Sequence, residues 1–316
     1  MALGNGVVWK PALECAATSR ALIESLEHED VGVPPGLVSL VFGDATTARA
    51  LVALDAVNAV TVTGSTRTGR EGAAACGARI TRLQAELGGN NAVLVTRDCD
   101  WPAAAREVAL HAFGYAGQGC TATRRVVVPA DIEEAFVAEL EQAALGLAVG
   151  EPRREATAVG PMISMGRRRR VERRIELARR EGARVFRTEL EAGLAERGCW
   201  MAPTVVRGLS EGAALVQEET FAPLLVVQTA RDFEDALRLC NAVPAGLVAS
   251  IYSDDPAARA RFLDTVEAGV VRINLPTRGL HLEAPFGGWK ESSLGPPEHG
   301  VWDLDFYTRW QAVYER

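Results

Sequence analysis

Apolar positions recur along the chain in two alternating rhythms, short β-branched runs and longer stretches in which apolar residues return every three or four positions. The runs predict strands at Val7–Pro11, Leu37–Phe42, Ala59–Thr63, a run ending at Glu86, Ala92–Thr96, Arg124–Val128, a run after Thr204, Val248–Tyr252 and Gly269–Asn274. Between them, helical spacing is read at Ala17–Leu26, Thr46–Leu54, around Ala73–Ala75, at Pro102–Phe113, Ile132–Leu147, Phe233–Asn241 and Pro256–Val266. A further helix carries the basic run Arg167–Arg174, with Val171, Ile175 and Ala178 on its inner stripe. Strands alternating with helices at this pitch predict an α/β fold whose parallel sheet is covered on both faces. The tail Phe306–Tyr314 alternates like an exposed edge strand, which needs a partner.

Composition narrows the class. With 316 residues, 48% hydrophobic and 24% charged, the chain is long enough for two ordinary domains. A net charge of −7 and a pI near 5.3 argue against a nucleic-acid or anionic-membrane partner, because phosphate binding needs a basic face. The arginine run reads better as a solvated helix face than as an RNA patch. No apolar run reaches membrane-spanning length and no signal-peptide pattern opens the chain, so a cytoplasmic protein is expected. The six cysteines show no Cys-x-x-Cys pairing and no histidines in ligand spacing, which argues against zinc or any other metal and against a disulfide framework. Five of them read as reduced, mostly buried thiols.

One cysteine stands apart. Phe113-Gly114-Tyr115-Ala116-Gly117-Gln118-Gly119-Cys120-Thr121 leaves an apolar helix and enters a strand, and its three glycines let backbone come close to a bound molecule. Upstream, Glu86-Leu87-Gly88-Gly89-Asn90-Asn91 delivers a carboxylate to another glycine turn. If the two turns meet, Glu86 and Cys120 form the base and nucleophile of covalent catalysis. A third turn, Thr63-Gly64-Ser65-Thr66-Arg67-Thr68-Gly69-Arg70, opens a helix. It reads equally as a site for a diphosphate and as an ordinary N-cap. The histidines at 28, 111, 281 and 299 are scattered and build no triad.

At these motifs the sequence resembles the aldehyde dehydrogenase superfamily, whose cysteine lies in Gly-Gln-x-Cys, here Gly117 to Cys120, and whose general base lies in Glu-Leu-Gly-Gly, here Glu86 to Gly89. The resemblance implies that Cys120 and Glu86 are catalytic. It further implies that Gly64, Ser65 and Gly69 face a cofactor diphosphate, that Leu87 and Gly88 belong to the cofactor site, and that Lys10 contacts the adenosine ribose. In Glu218-Glu219-Thr220-Phe221-Ala222-Pro223, it assigns Glu219 to the nicotinamide ribose and Phe221 to the nicotinamide. Leu13 stands where an acid often follows the lysine, which leaves NAD or NADP open. The segment Arg272–Thr277 followed by Pro285–Gly288 looks most like semialdehyde-oxidising members.

The implied fold is aldehyde-dehydrogenase-like. It comprises a partial, Rossmann-type dinucleotide-binding domain at 1–87, an α/β catalytic thiol domain at 88–280, and a closing motif with an oligomerisation strand at 281–316. Roughly 150 residues that usually precede this region, an ordinary domain's worth, are not in the sequence, nor is the Asn-aromatic-Pro turn that supplies an oxyanion donor. The expected function is NAD(P)-dependent oxidation of an aldehyde or semialdehyde through a thiohemiacetal and a thioester. The expected partners are a small-molecule aldehyde and either further copies, as a homo-oligomer, or another chain that completes it. The alternative is a catalytically impaired, truncated homologue acting as an assembly or regulatory partner.

Overall fold

A computed structural model describes every residue from Met1 to Arg316. The chain divides into two compact units. The first comprises Met1–Glu86, Leu282–Pro285 and Leu294–Arg316; the second comprises Leu87–His281 and Phe286–Ser293.

In the first unit, β1 (Val7–Trp9) and β2 (Val38–Leu40) pair in parallel on either side of α1 (Ala16–Leu26). Asp44 then caps α2 (Ala45–Val52), its carboxylate accepting from the Thr46 N–H at 2.8 Å. Next, β3 (Ala59–Thr63), α3 (Thr66–Arg79) and β4 (Arg82–Glu86) form a right-sized βαβ unit in which the two strands run parallel, Thr63 beside Glu86.

The second unit holds a seven-stranded sheet. Its elements, in chain order, are β5 (Ala92–Val95), α4 (Trp101–Phe113), β6 (Arg125–Pro129), α5 (Glu133–Leu145), α6 (Met165–Arg180), β7 (Arg184–Arg187), α7 (Leu194–Arg197), β8 (Thr204–Arg207), α8 (Ala214–Gln217), β9 (Leu224–Ala230), α9 (Phe233–Asn241), β10 (Ala245–Gly246), β11 (Val248–Tyr252), α10 (Pro256–Thr265), β12 (Val270–Ile273) and β13 (Trp289–Lys290). The sheet order is β12-β11-β5-β6-β9-β8-β7, parallel except for the edge strand β7. Alternate side chains feed two cores. Val93, Val95, Val126 and Val128 pack with α4, α5 and α6, while Ala92, Leu94, Val127 and Ile251 pack with α9 and α10. This two-sided burial is why the strands read as continuous apolar runs.

The chain then returns to the first unit through β14 (Ser293–Leu294), in the sheet order β14-β4-β3, and α11 (Trp302–Tyr307). Phe306 of α11 is buried beneath Arg82, whose guanidinium carbon lies 5.3 Å from the ring centroid.

The structure corrects three expectations. The expected tail strand is not formed: residues 302–307 are helical, with Phe306 buried, and 308–316 lie outside helices and strands, with Trp310 93% exposed. The sheet covered on both faces holds in the second unit only, since Val7 and Val8 of β1 are exposed and α2 buries no residue. Of the five other cysteines, Cys76 and Cys240 alone are buried, and Cys15 is exposed on the last turn before α1. Five strands lie outside the expectations altogether: β7, an edge strand rich in arginine, β9, which follows Pro223 without a glycine turn, and the two-residue strands β10, β13 and β14.

Candidate active site

The thiol-bearing loop begins where α4 ends. Tyr115, Ala116 and Gly117 occupy the left-handed region in succession, with φ of 59°, 53° and 62°. For a residue with a Cβ that conformation costs roughly 1–2 kcal/mol, so the surroundings must impose it. They do so from several sides. The Tyr115 N–H donates to the Ala158 carbonyl at 3.1 Å, and the Gln118 side chain accepts from the Ile163 N–H at 2.7 Å. At Gly117 any Cβ would collide with the Ala222 carbonyl and stand 2.9 Å from that of Ala112. Glycine there is a packing requirement as well as a conformational one.

Two buried polar side chains hold the loop from beneath. Asn91 Nδ2 donates to the carbonyls of Cys120 and Ala122, both at 2.8 Å, and its Oδ1 accepts from the Val248 N–H at 3.0 Å. Arg124, 2% exposed, donates to the carbonyls of Gly117, Gly119 and Ala222, the last at 3.0 Å. Its guanidinium carbon also lies 5.6 Å from the Phe221 ring centroid. Burial pulls the guanidinium down to about 10, opposed by the Glu219 carboxylate. The Cys120 side chain is half-buried against Leu247, Val248 and Phe286.

The facing loop carries Glu219 and Phe221, the latter with φ of +49°. Glu219 Oε1 accepts from the Gly89 N–H at 3.2 Å, and its other oxygen fills the space a Cβ on Gly88 would take. Burial raises the Glu219 carboxyl above its usual range, with Arg124 pulling the other way. The Gly88–Gly89 turn is itself anchored: buried Ser292 donates to the Gly88 carbonyl at 2.8 Å and accepts from the Gly246 N–H at 2.9 Å. A Cβ at Gly89 would stand 2.5 Å from the Cys120 carbonyl. The structure therefore brings Gly88, Cys120, Glu219 and Phe221 into one neighbourhood of the second unit, entered from Leu87.

In the first unit, the parallel register of β3 and β4 sets Gly64 and Ser65 beside Glu86 at one sheet edge, where the Gly64 N–H donates to the Glu86 carbonyl at 2.9 Å. Glu86 is 3% exposed. Ser65 Oγ accepts from the Thr68 N–H at 3.3 Å and so caps α3, and Gly69 is buried one turn on. Lys10 Nζ donates to the carbonyls of Pro11 and Gly43 at 2.9 and 3.1 Å.

These residues fit a dinucleotide, each within its unit. A helix N-terminus with small residues suits a diphosphate, and Glu219 beside a glycine with no Cβ is a carboxylate placed to accept from hydroxyls. Sequence reasoning assigned no role to Asn91, Arg124 or Ser292. Asn91 lay inside a quoted motif, Ser292 lay four residues beyond the Pro285–Gly288 segment, and Arg124 showed only as a charge opening an apolar strand.

The sequence profile of the aldehyde dehydrogenase family matches residues 1–313. The α-ketoglutaric semialdehyde dehydrogenase of Bacillus subtilis strain 168 is 37% identical over 314 residues, covering 98% of this chain and 64% of its own length. The betaine aldehyde dehydrogenase of Sinorhizobium fredii is 34% identical, with coverage of 99% and 64%. Among solved structures, an NAD-dependent aldehyde dehydrogenase from Sinorhizobium meliloti superposes with a TM-score of 0.91 at 30% identity, over 98% of this chain and 60% of that one. The chain thus spans a little under two thirds of the length of the relatives it matches.

Proposed function

Because this chain belongs to the aldehyde dehydrogenase family, we propose that it oxidises an aldehyde to the carboxylic acid with Cys120 as nucleophile. Aldehyde, oxidised dinucleotide and water become acid, reduced dinucleotide and one proton. The Cys120 thiolate adds to the carbonyl carbon, and the π electrons move to the oxygen, facing the Cys120 backbone N–H. A bound nicotinamide dinucleotide, NAD or NADP, supplies the hydride acceptor. Loss of hydride leaves an acyl thioester on Cys120. Water attacks that acyl carbon, Glu86 takes the water's proton, and the thiolate leaves.

Around these steps, Glu219 and Phe221 orient the nicotinamide end, with Leu87 and Gly88 lining its approach. Gly64, Ser65 and Gly69 receive the diphosphate, and Lys10 the adenosine ribose. The exposed apolar tail, with Trp310, Val313 and Tyr314, is the proposed contact with further copies of the chain.

The observation that carries this reading is Arg124. One buried cation ties the thiol loop, through Gly117 and Gly119, to the Phe221 loop, through Ala222. A structural cysteine needs no such link between its own turn and a second one.

The test is spectrophotometric. Purified chain is mixed with NAD⁺ or NADP⁺ and an aldehyde panel, and absorbance of the reduced cofactor is followed. Cys120→Ala is expected to lower turnover by roughly 10³-fold or more. Turnover that persists in that variant overturns the role of Cys120.

A further inference from the structure

Deepening that reading, and resting on it for the thiol, we infer that Arg278 reads the substrate and that the aldehyde it admits carries a carboxylate. The Arg278 guanidinium lies along the thiol loop. Its Nη1 donates to the Gly114 carbonyl at 3.1 Å, and its carbon sits 5.9 Å from the Tyr115 ring centroid. A Cβ on Gly119 would stand 3.8 Å from Nη2 and 3.9 Å from Nε, and one on Gly114 would stand 3.6 Å from Nη1. A Cβ at either position would stand at ordinary contact distance from the guanidinium, which places Arg278 against the residue that precedes Cys120.

The free edge of that guanidinium is the informative one. Nε and Nη2, the pair directed at Gly119, make no hydrogen bond within the chain, and Arg278 forms no ion pair. Arg272 comes to the same segment, donating from Nη1 to the Gly279 carbonyl at 2.8 Å. It also has no carboxylate partner, and its buried Nε is unbonded. Glu107 is the acid in this region, and its carboxylate accepts from the Tyr252 hydroxyl at 2.5 Å. Burial first and then Arg278 hold His111 below the usual imidazole range, with Glu107 opposing them and Arg272 adding a smaller push in the same direction as Arg278.

Two parallel N–H donors match a carboxylate. Neither Nε nor Nη2 of Arg278 is among the buried unpaired atoms, so water reaches that edge, and the substrate's carboxylate takes the water's place. A short oxo acid, its aldehyde at Cys120 and its carboxylate on Nε and Nη2 of Arg278, satisfies both groups at once. An aldehyde bearing a quaternary ammonium meets repulsion in the same place.

Two haloacetyl probes of nearly equal size test this without cofactor or hydride transfer. Iodoacetate and iodoacetamide alkylate Cys120, and mass spectrometry of the Cys120 peptide gives each rate. The iodoacetate-to-iodoacetamide ratio is expected to fall about tenfold in Arg278→Ala, the effect of one close opposite charge, and to be largely kept in Arg278→Lys. An unchanged ratio in Arg278→Ala overturns the inference, whatever the enzyme turns over. In the turnover arm, the ratio of kcat/KM for succinic semialdehyde to that for pentanal is expected to drop about 100-fold in Arg278→Ala, and betaine aldehyde to be the poorest substrate of wild type. Equal losses on both aldehydes also overturn it. Wild type that turns over no aldehyde but keeps the alkylation preference overturns the proposed reaction while supporting anion reading at Arg278.

Discussion

At the scale of single residues, the candidate site depends on polar side chains that bond to backbone. Asn91 spends its amide on two carbonyls of the thiol loop and its oxygen on a β11 amide, so it connects three segments at once. Asn91→Ala leaves those buried groups unpaired and is expected to cost about 2–4 kcal/mol, read as a lower denaturation midpoint. Arg124 acts similarly but carries charge. Arg124→Met removes the expense of burying a cation together with the bonds it makes, so a net loss of about 1–3 kcal/mol is expected. The sharper readout is local: amide hydrogen exchange over residues 114–123 accelerates relative to the α4 core. If exchange there stays at the wild-type rate, Arg124 is not the clasp described above.

At the scale of elements, the thiol loop is the part most narrowly specified. Three successive left-handed residues fit between α4 and β6 because the Ala158, Ile163 and Ala222 segments close on them. Gly117→Ala places a Cβ against the Ala222 carbonyl. It is expected to destabilise by more than about 3 kcal/mol and to abolish saturable labelling of Cys120. Helix α9 gives a pH-dependent counterpart. The Arg231 side chain, then its backbone amide and Arg238, hold the Asp235 carboxyl far below its ordinary 3.8 against the opposing effect of burial. A depressed carboxylate contributes stability that is present above its unfolded pKa and lost as pH falls through the folded one. Wild type is therefore expected to lose stability on acidification below about pH 4, and Asp235→Asn to show a shallower acid limb in urea titrations. Parallel limbs in the two proteins contradict this.

For the whole molecule, the two units differ in how much they bury. The seven-stranded sheet has a core on each face, whereas the first unit buries Ile23, Cys76, Ala85 and Phe306 around small sheets. In denaturant the first unit is expected to lose its hydrogen-exchange protection before the second. The tail beyond Thr308 contributes little to either core. Deleting residues 309–316 is expected to leave the thermal midpoint within about 2 °C and to reduce self-association on size exclusion. A large fall in the midpoint contradicts the first expectation, and unaltered elution the second.

The chain's own order of residues determined the strand and helix alternation, the glycine turns and the Glu86 and Cys120 motifs, because these are local signals: period, caps and residues without a Cβ. The turn at Ser65, read as a possible N-cap, does cap α3, while Asp44 and Asp232 cap α2 and α9 without having been singled out. Where the signal was local but ambiguous, as in the alternating tail, the reading failed, since Phe306 serves a helix as well as a strand. What only tertiary structure decided is which distant carbonyls a buried side chain meets. Nothing in the sequence joins Arg124 to Ala222, Asn91 to Val248, or Arg278 to Gly114. Those pairings exist because strands far apart in the chain lie side by side in the sheet, and hydrogen-bond partners are chosen by distance in space.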